Sequence, residues 1–288
     1  WIGDDIMNRF AILPNPMRDP GLLETRKIAA ALQKAGCCVF MEDSLTAEEI
    51  CGVHFAPLTE ILTKAEAAIV LGGDGTLLGY APIAAKIGIP LLGINFGNLG
   101  FLAQTEKGDY QIFEHIIRDD YELRCCMMLD CVILKNGVEQ ERYLALNDVV
   151  VSGDGYSKMV NVSASVNGTC IGTYSADGLI LATAVGSTAY SLSAGGAILH
   201  PELDAIMLTP ICPHTLKART TVVPGGDTVE IVARPPYRSS VLVMVDGKRR
   251  HVLCEDEQVR VTRSDCKTKL LIANKKNFFD VLREKLSD

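Results

Sequence analysis

Three glycines around one acid, Gly72-Gly73-Asp74-Gly75 followed by Thr76, stand directly after the apolar run Ala67-Ala68-Ile69-Val70-Leu71. A strand that ends in glycines and opens a helix suits phosphate, because backbone amides approach the oxygens closely and the helix start adds partial positive charge. In an open α/β sheet such a loop lies outside the carboxyl ends of the strands, where ligands gather. It carries neither the Lys-Ser/Thr pair of a Walker loop nor the spacing of a dinucleotide fingerprint. Asp74 is the unusual member. A carboxylate beside phosphates is repulsive unless it holds a metal or accepts a proton from an attacking hydroxyl, and phosphoryl transfer uses acids in both ways. From the loop alone a second reading stays open, a tight strand-to-helix turn with Asp74 as a cap.

Further polar groups follow along the chain. The loop Gly93-Ile94-Asn95-Phe96-Gly97-Asn98-Leu99-Gly100-Phe101 comes after the next apolar run and is expected to share the crevice, with Phe101 as a ligand contact or a loop anchor. Asn147-Asp148 offers an amide for a purine edge beside a carboxylate for sugar hydroxyls, although Asn-Asp is also ordinary turn chemistry. The stretch from Tyr174, through Ser175, Asp177 and the apolar Gly178–Ala182, runs into the small, hydroxyl-rich segment 184–196. There Ser187 or Thr188 is a candidate N-cap, and Tyr190 a candidate base-stacking or core residue.

The elements that must position these groups change character along the chain. Arg9–Leu13, Cys37–Met41, Ala67–Leu71 and Pro90–Ile94 read as strands, and 22–35, 76–87 and 110–118 as helices, a Rossmann-like alternation. From about Leu123 to Thr262 strand-like runs are separated by Asn136-Gly137, Asn167-Gly168 and Asp246-Gly247, pairs suited to hairpins. One short helix is expected near 187–194. The fold class is therefore α/β plus all-β: a parallel-sheet domain over 1–122 and a β-sandwich-like domain over 123–273, with a C-terminal helix within 274–288 packing back on the first.

The chain has 288 residues, 48% of them hydrophobic, and a formal charge of −7, which argues against nucleic acid as a partner. Ten cysteines are scattered, with adjacent pairs at Cys37-Cys38 and Cys125-Cys126 that fit no usual disulfide or zinc spacing, so most are expected to be small core residues. The opening Trp1-Ile2-Gly3-Asp4-Asp5 has no basic stretch leading into an apolar one, and no apolar run approaches the roughly 20 residues of a membrane span. These features predict no membrane association and a cytoplasmic, reduced setting. Protein-ligated metal is not expected, since HExxH and CxxC are absent. His200-Pro201-Glu202 lacks the Pro-Cys-x-x-Cys partner of a deaminase, and Ser191 and Ser193 lack the leading glycine of a nucleophile elbow.

In that order, Gly72–Thr76, Asn147-Asp148, the block 177–196 and Cys212-Pro213-His214-Thr215-Leu216 closely resemble the motifs of the NAD kinase family. The glycine-aspartate loop alone is shared with phosphofructokinases and with diacylglycerol and sphingosine kinases, whereas the second block is far more specific. The resemblance implies transfer of a phosphoryl group from ATP, carrying Mg²⁺ or another divalent cation, to the adenosine-ribose 2′-hydroxyl of NAD. It implies a substrate site between an α/β and a β-rich domain, and a homodimer or homotetramer. Asp74 would be the catalytic acid that accepts the hydroxyl proton, with Gly73, Gly75 and Thr76 beside the phosphates. Asn147 and Asp148 would hold the adenosine or its ribose, and Thr188, Ala189, Tyr190 and Ser193 the adenine. Asp177 would lie toward the nicotinamide, Phe101 would be the loop aromatic, and Ser175 and Asp246 join the expected binding residues. The family commonly has Asn-Glu where this chain has Asn147-Asp148, so the shorter acid loses about one methylene of reach.

Overall fold

The structure, a computed structural model, describes residues 7–97, 100–103, 105–154, 159–215, 217–235, 240–273 and 277–286. The opening segment 1–5, Asn98 and Leu99 of the second loop, Leu216, and residues 274–276 and 287–288 of the tail, all singled out above, lie outside the described residues. The chain forms two compact units, Trp1–Cys125 with Thr268–Asp288, and Cys126–Lys267.

In the first unit strands and helices alternate: β1 (Arg9–Pro14), α1 (Leu23–Lys34), β2 (Cys38–Glu42), β3 (Val53–Ala56), α2 (Leu58–Lys64), β4 (Ala67–Leu71), α3 (Asp74–Ile87), β5 (Leu91–Asn95), β6 (Thr105–Glu106) and α4 (Gln111–Ile117). The strands lie in the order β3-β2-β1-β4-β5, every pairing parallel. β4 is buried along its whole length, as a parallel strand covered on both faces must be. The order reverses between β1 and β4, and outside that point parallel sheets form their ligand crevices. β3 and α2 were not foreseen. Val53–Ala56 has a His in a four-residue run and no fully buried position, so it gives little periodic signal.

The second unit contains β7 (Glu122–Lys135, which starts in the first unit), β8 (Val138–Ala145), β9 (Asp148–Gly153), β10 (Val160–Val166), β11 (Thr169–Ala176), β12 (Gly178–Ala182), the short α5 (Tyr190–Ser193), β13 (Ala205–Ile211), β14 (Thr221–Pro224), β15 (Val229–Ala233), β16 (Val241–Val245), β17 (Lys248–Leu253) and β18 (Glu257–Ile272). One sheet runs β14-β13-β12-β9-β16-β17, and a second joins β11-β10-β15-β18 with β7 and β8. Val149, Leu179 and Val243 of the one share a core with Leu129, Val162, Ile231 and Val259 of the other, which makes a sandwich. All three foreseen hairpin pairs have positive φ at both central residues, the type I′ geometry whose twist matches antiparallel strands. β18 ends in the first unit, where Leu270 pairs in parallel with Leu91, and α6 (Phe278–Leu286) follows.

The cysteine expectation is corrected. All ten are free, but only Cys37, Cys126 and Cys131 are buried. In each adjacent pair strand alternation turns one thiol inward and the other, Cys38 or Cys125, to solvent. Among the described residues no helix is long and apolar enough to cross a membrane.

Candidate functional site

The candidate site residues fall into two groups, one in each unit. In the first, β4 delivers the chain into Gly72 and Gly73, and Asp74 begins α3. The cap reading of Asp74 fails, because no side chain caps this helix start. Instead the Asp74 carboxylate turns to the loop after β5. Its Oδ2 accepts the Phe101 N–H at 2.9 Å, and its Oδ1 accepts those of Leu102 at 3.2 Å and Ala103 at 2.9 Å. Such charge-assisted bonds fix both oxygens. Gly100 permits the approach, since a Cβ there would fall 2.0 Å from Asp74 Oδ1. Gly73 and Thr76 are half-buried and Gly75 is exposed, so the loop presents backbone outward.

Sequence reasoning missed Asn15. It follows β1 at the point of order reversal, and its N–H bonds the Leu71 carbonyl at 3.0 Å while Nδ2 donates to Thr76 Oγ1 at 3.1 Å. The available signal was an Asn-Pro step at the carboxyl end of the first strand. The ring of Phe101 is half-buried, with Lys285 Nζ 5.6 Å from its centroid.

In the second unit the turn at Asn147 is built from below by Asp246. The Asp246 carboxylate accepts main-chain N–H groups from Leu146, Asn147 and Asp148 at 2.9, 2.8 and 3.1 Å. Burial pushes the Asp246 carboxyl above the usual range, and these three bonds oppose it. Asp148 is 4% exposed, and burial first, then the Asp246 charge, raises its pKa to about 7. From the other side Gly186 rests on Asn147, where a Cβ would meet the Asn147 carbonyl oxygen at 2.0 Å. Thr183, also missed, joins the two turns: its hydroxyl donates to the Leu146 carbonyl at 2.6 Å and accepts the Gly186 N–H at 3.0 Å.

The N-cap expectation for Ser187 and Thr188 is corrected, since both hydroxyls bond back to carbonyls, of Ala184 and Val185, inside the 3-10 turn Val185–Thr188. Thr183 takes the cap-like part instead, four residues before Ser187 and one before Ala184, the residue that precedes the turn. Ser191 is buried against Thr209, its Oγ 2.8 Å from the Thr209 hydroxyl, which is a structural use. Thr188 and Ala189 are half-buried, while Tyr190, at 46% exposure, Ser193 and Asp177 are open to solvent. Ser175 is half-buried and donates to Asn161 Oδ1 at 2.6 Å.

Residues 10–121 match the ATP-NAD kinase N-terminal domain and residues 146–273 the ATP-NAD kinase C-terminal domain. The NAD kinase of Caldanaerobacter subterraneus is 35% identical over 98% of this chain and 100% of its own length, and that of Heliobacterium modesticaldum 43% identical over 80% of this chain and 81% of its own. Among solved structures, yeast NADH kinase complexed with NADH aligns at a TM-score of 0.83, with 23% identity over 97% of this chain and 86% of that one. An NAD kinase from Archaeoglobus fulgidus in complex with ATP aligns at 0.73, with 24% identity over 96% and 98%. At those identities the structures speak to fold. The sequence relatives and both domain matches speak to descent: the chain belongs to the ATP-NAD kinase family.

Proposed function

We propose that the chain transfers the γ-phosphoryl of ATP to the adenosine-ribose 2′-hydroxyl of NAD, with Asp74 Oδ2 receiving the hydroxyl proton. The observation that carries this reading is the unequal loading of the Asp74 carboxylate, with two amide bonds on Oδ1 and one on Oδ2. An oxygen has two lone pairs, so Oδ2 keeps one for an incoming hydroxyl. As the 2′-oxygen bonds to the γ-phosphorus, the bond to the β,γ-bridging oxygen breaks, ADP departs, and the proton passes to Oδ2. In a loose transition state that proton leaves late, so orientation contributes more than basicity. The amides that hold Asp74 supply orientation.

The backbone of half-buried Gly73 and exposed Gly75, at the start of a 14-residue helix, suits the donor phosphates, with half-buried Thr76 beside them. A divalent cation fits as cargo of ATP, because this loop offers a single carboxylate whose one open lone pair faces the incoming hydroxyl; bound with ATP, it would offset phosphate charge. In the second unit Asn147 and Asp148 take the adenosine or its ribose, Thr188, Ala189, Tyr190 and Ser193 the adenine, and Ser175 and Asp177 the nicotinamide side. Asp246 acts through the main chain it holds. ATP and NADH in the structures of the Archaeoglobus and yeast enzymes support this choice of ligands. The reading includes a homodimer or homotetramer working in the cytoplasm.

The test is NADP formation by purified protein, coupled to an NADP-specific dehydrogenase, with ATP or polyphosphate as donor and NAD or NADH as acceptor. Product from NAD and ATP with Mg²⁺ supports the reading. Turnover with polyphosphate but not ATP, or with NADH but not NAD, would replace the donor or the acceptor.

A further inference from the structure

Helix α6 sets a cation on the loop that holds Asp74. Phe278 and Val281 are the buried residues of this helix, and Lys285 continues their stripe, four positions after Val281, where an apolar residue is the plain expectation. Its Nζ lies 5.6 Å from the Phe101 ring centroid, within cation–π range. The main chain of that same Phe101 donates to Asp74 Oδ2, the oxygen with the open lone pair. Ring and amide belong to one residue, so whatever holds the ring also limits movement of the amide.

We infer that Lys285 is a positioning residue for phosphoryl transfer, acting through Phe101 on the orientation of Asp74. This rests on Asp74 as the base. Lys285 also stands in the last turn of α6, where a cation offsets the helix dipole, but that effect bears on helix stability and not on turnover.

Steady-state kinetics of the full chain separate these roles, using Lys285→Met, which keeps the aliphatic stem, Lys285→Arg, which keeps the charge, Phe101→Leu, and the double variant Lys285→Met with Phe101→Leu. An exposed cation–π contact corresponds to a factor of about 2 to 5. The expected result is a fall of that size in kcat for Lys285→Met with KM for both substrates unchanged, recovery in Lys285→Arg, and no additional fall when Lys285→Met is added to Phe101→Leu. Unchanged kcat in Lys285→Met overturns the inference. So does a fall that persists in full in the Phe101→Leu background, or a rise in KM for ATP alone, which would put the ammonium on donor phosphates. Asp74→Asn assayed alongside keeps the two claims apart: near-normal turnover there removes the base, whereas a dead Asp74→Asn beside an unaffected Lys285→Met removes only the role of Lys285.

Discussion

Asp148, buried, and Asp246, half-buried, are neighbouring carboxylates with unequal support: Asp246 accepts three main-chain N–H groups, while among the described residues no donor reaches the carboxyl of Asp148. Burial first, then the Asp246 charge, pushes the Asp148 carboxyl up to about 7. Its folded value lies above the ordinary value near 4, so its contribution to stability is full below about pH 4 and is lost as pH rises through about 7. Asp148→Asn removes that dependence. Relative to wild type, the unliganded variant should gain stability between about pH 5 and pH 8, by at most about 4 kcal/mol. Urea unfolding at both pH values measures it, and a difference that does not change with pH would contradict the assignment.

Asp246→Asn should cost about 1–3 kcal/mol, since the amide has one acceptor oxygen where the carboxylate uses two, and its NH2 would face a main-chain N–H. Asp246→Ala should cost more, because position 246 has φ of 47° as well as losing its acceptors. Removal of the Asp246 charge should also lower the pKa of Asp148, readable as an earlier midpoint in the unfolding-against-pH curve of Asp246→Asn. A midpoint that stays in place would leave burial as the whole cause.

Gly186→Ala drives a Cβ against the carbonyl oxygen of Asn147, a backbone atom that cannot swing away. The expected cost is about 1–3 kcal/mol, together with loss of NAD affinity through displacement of Asn147. Calorimetric titration with NAD on the folded variant checks it; unaltered affinity would mean that Asn147 does not contact this substrate.

Gly100→Ala should leave the fold intact and lower kcat by roughly 10²-fold, the scale of a misplacement near 1 Å. Its Cβ would meet both oxygens of Asp74, and a carboxylate is easier to displace than a main chain. The kcat of this variant, set beside its melting temperature, gives the answer. Normal turnover would mean that the observed Asp74 orientation is not the working one.

The fold was legible where residues repeat a local rule. Ala67–Leu71 is a buried run ending in glycine, and Asn136-Gly137, Asn167-Gly168 and Asp246-Gly247 each fix a turn from their own φ preferences. Asp74 and Asn147 stood out as polar residues at strand ends. What escaped was long-range. Nothing local tells that the amides of residues 101–103 close on Asp74, or that Asp246 reaches back about 100 positions to the turn at Asn147. Thr183 looked like one more small residue in a small-residue run, because its hydroxyl partners are set by the pairing of β9 with β12.

The most direct test of the account is the chemical step in Asp74→Asn, measured in a single turnover with NAD and ATP·Mg²⁺ after NAD binding and the melting temperature are shown to match wild type. A fall of about 10² or more is expected, the usual scale for removing a positioned base. A rate within a few-fold of wild type would contradict it, leaving Asp74 as an anchor for the loop and placing the proton acceptor elsewhere.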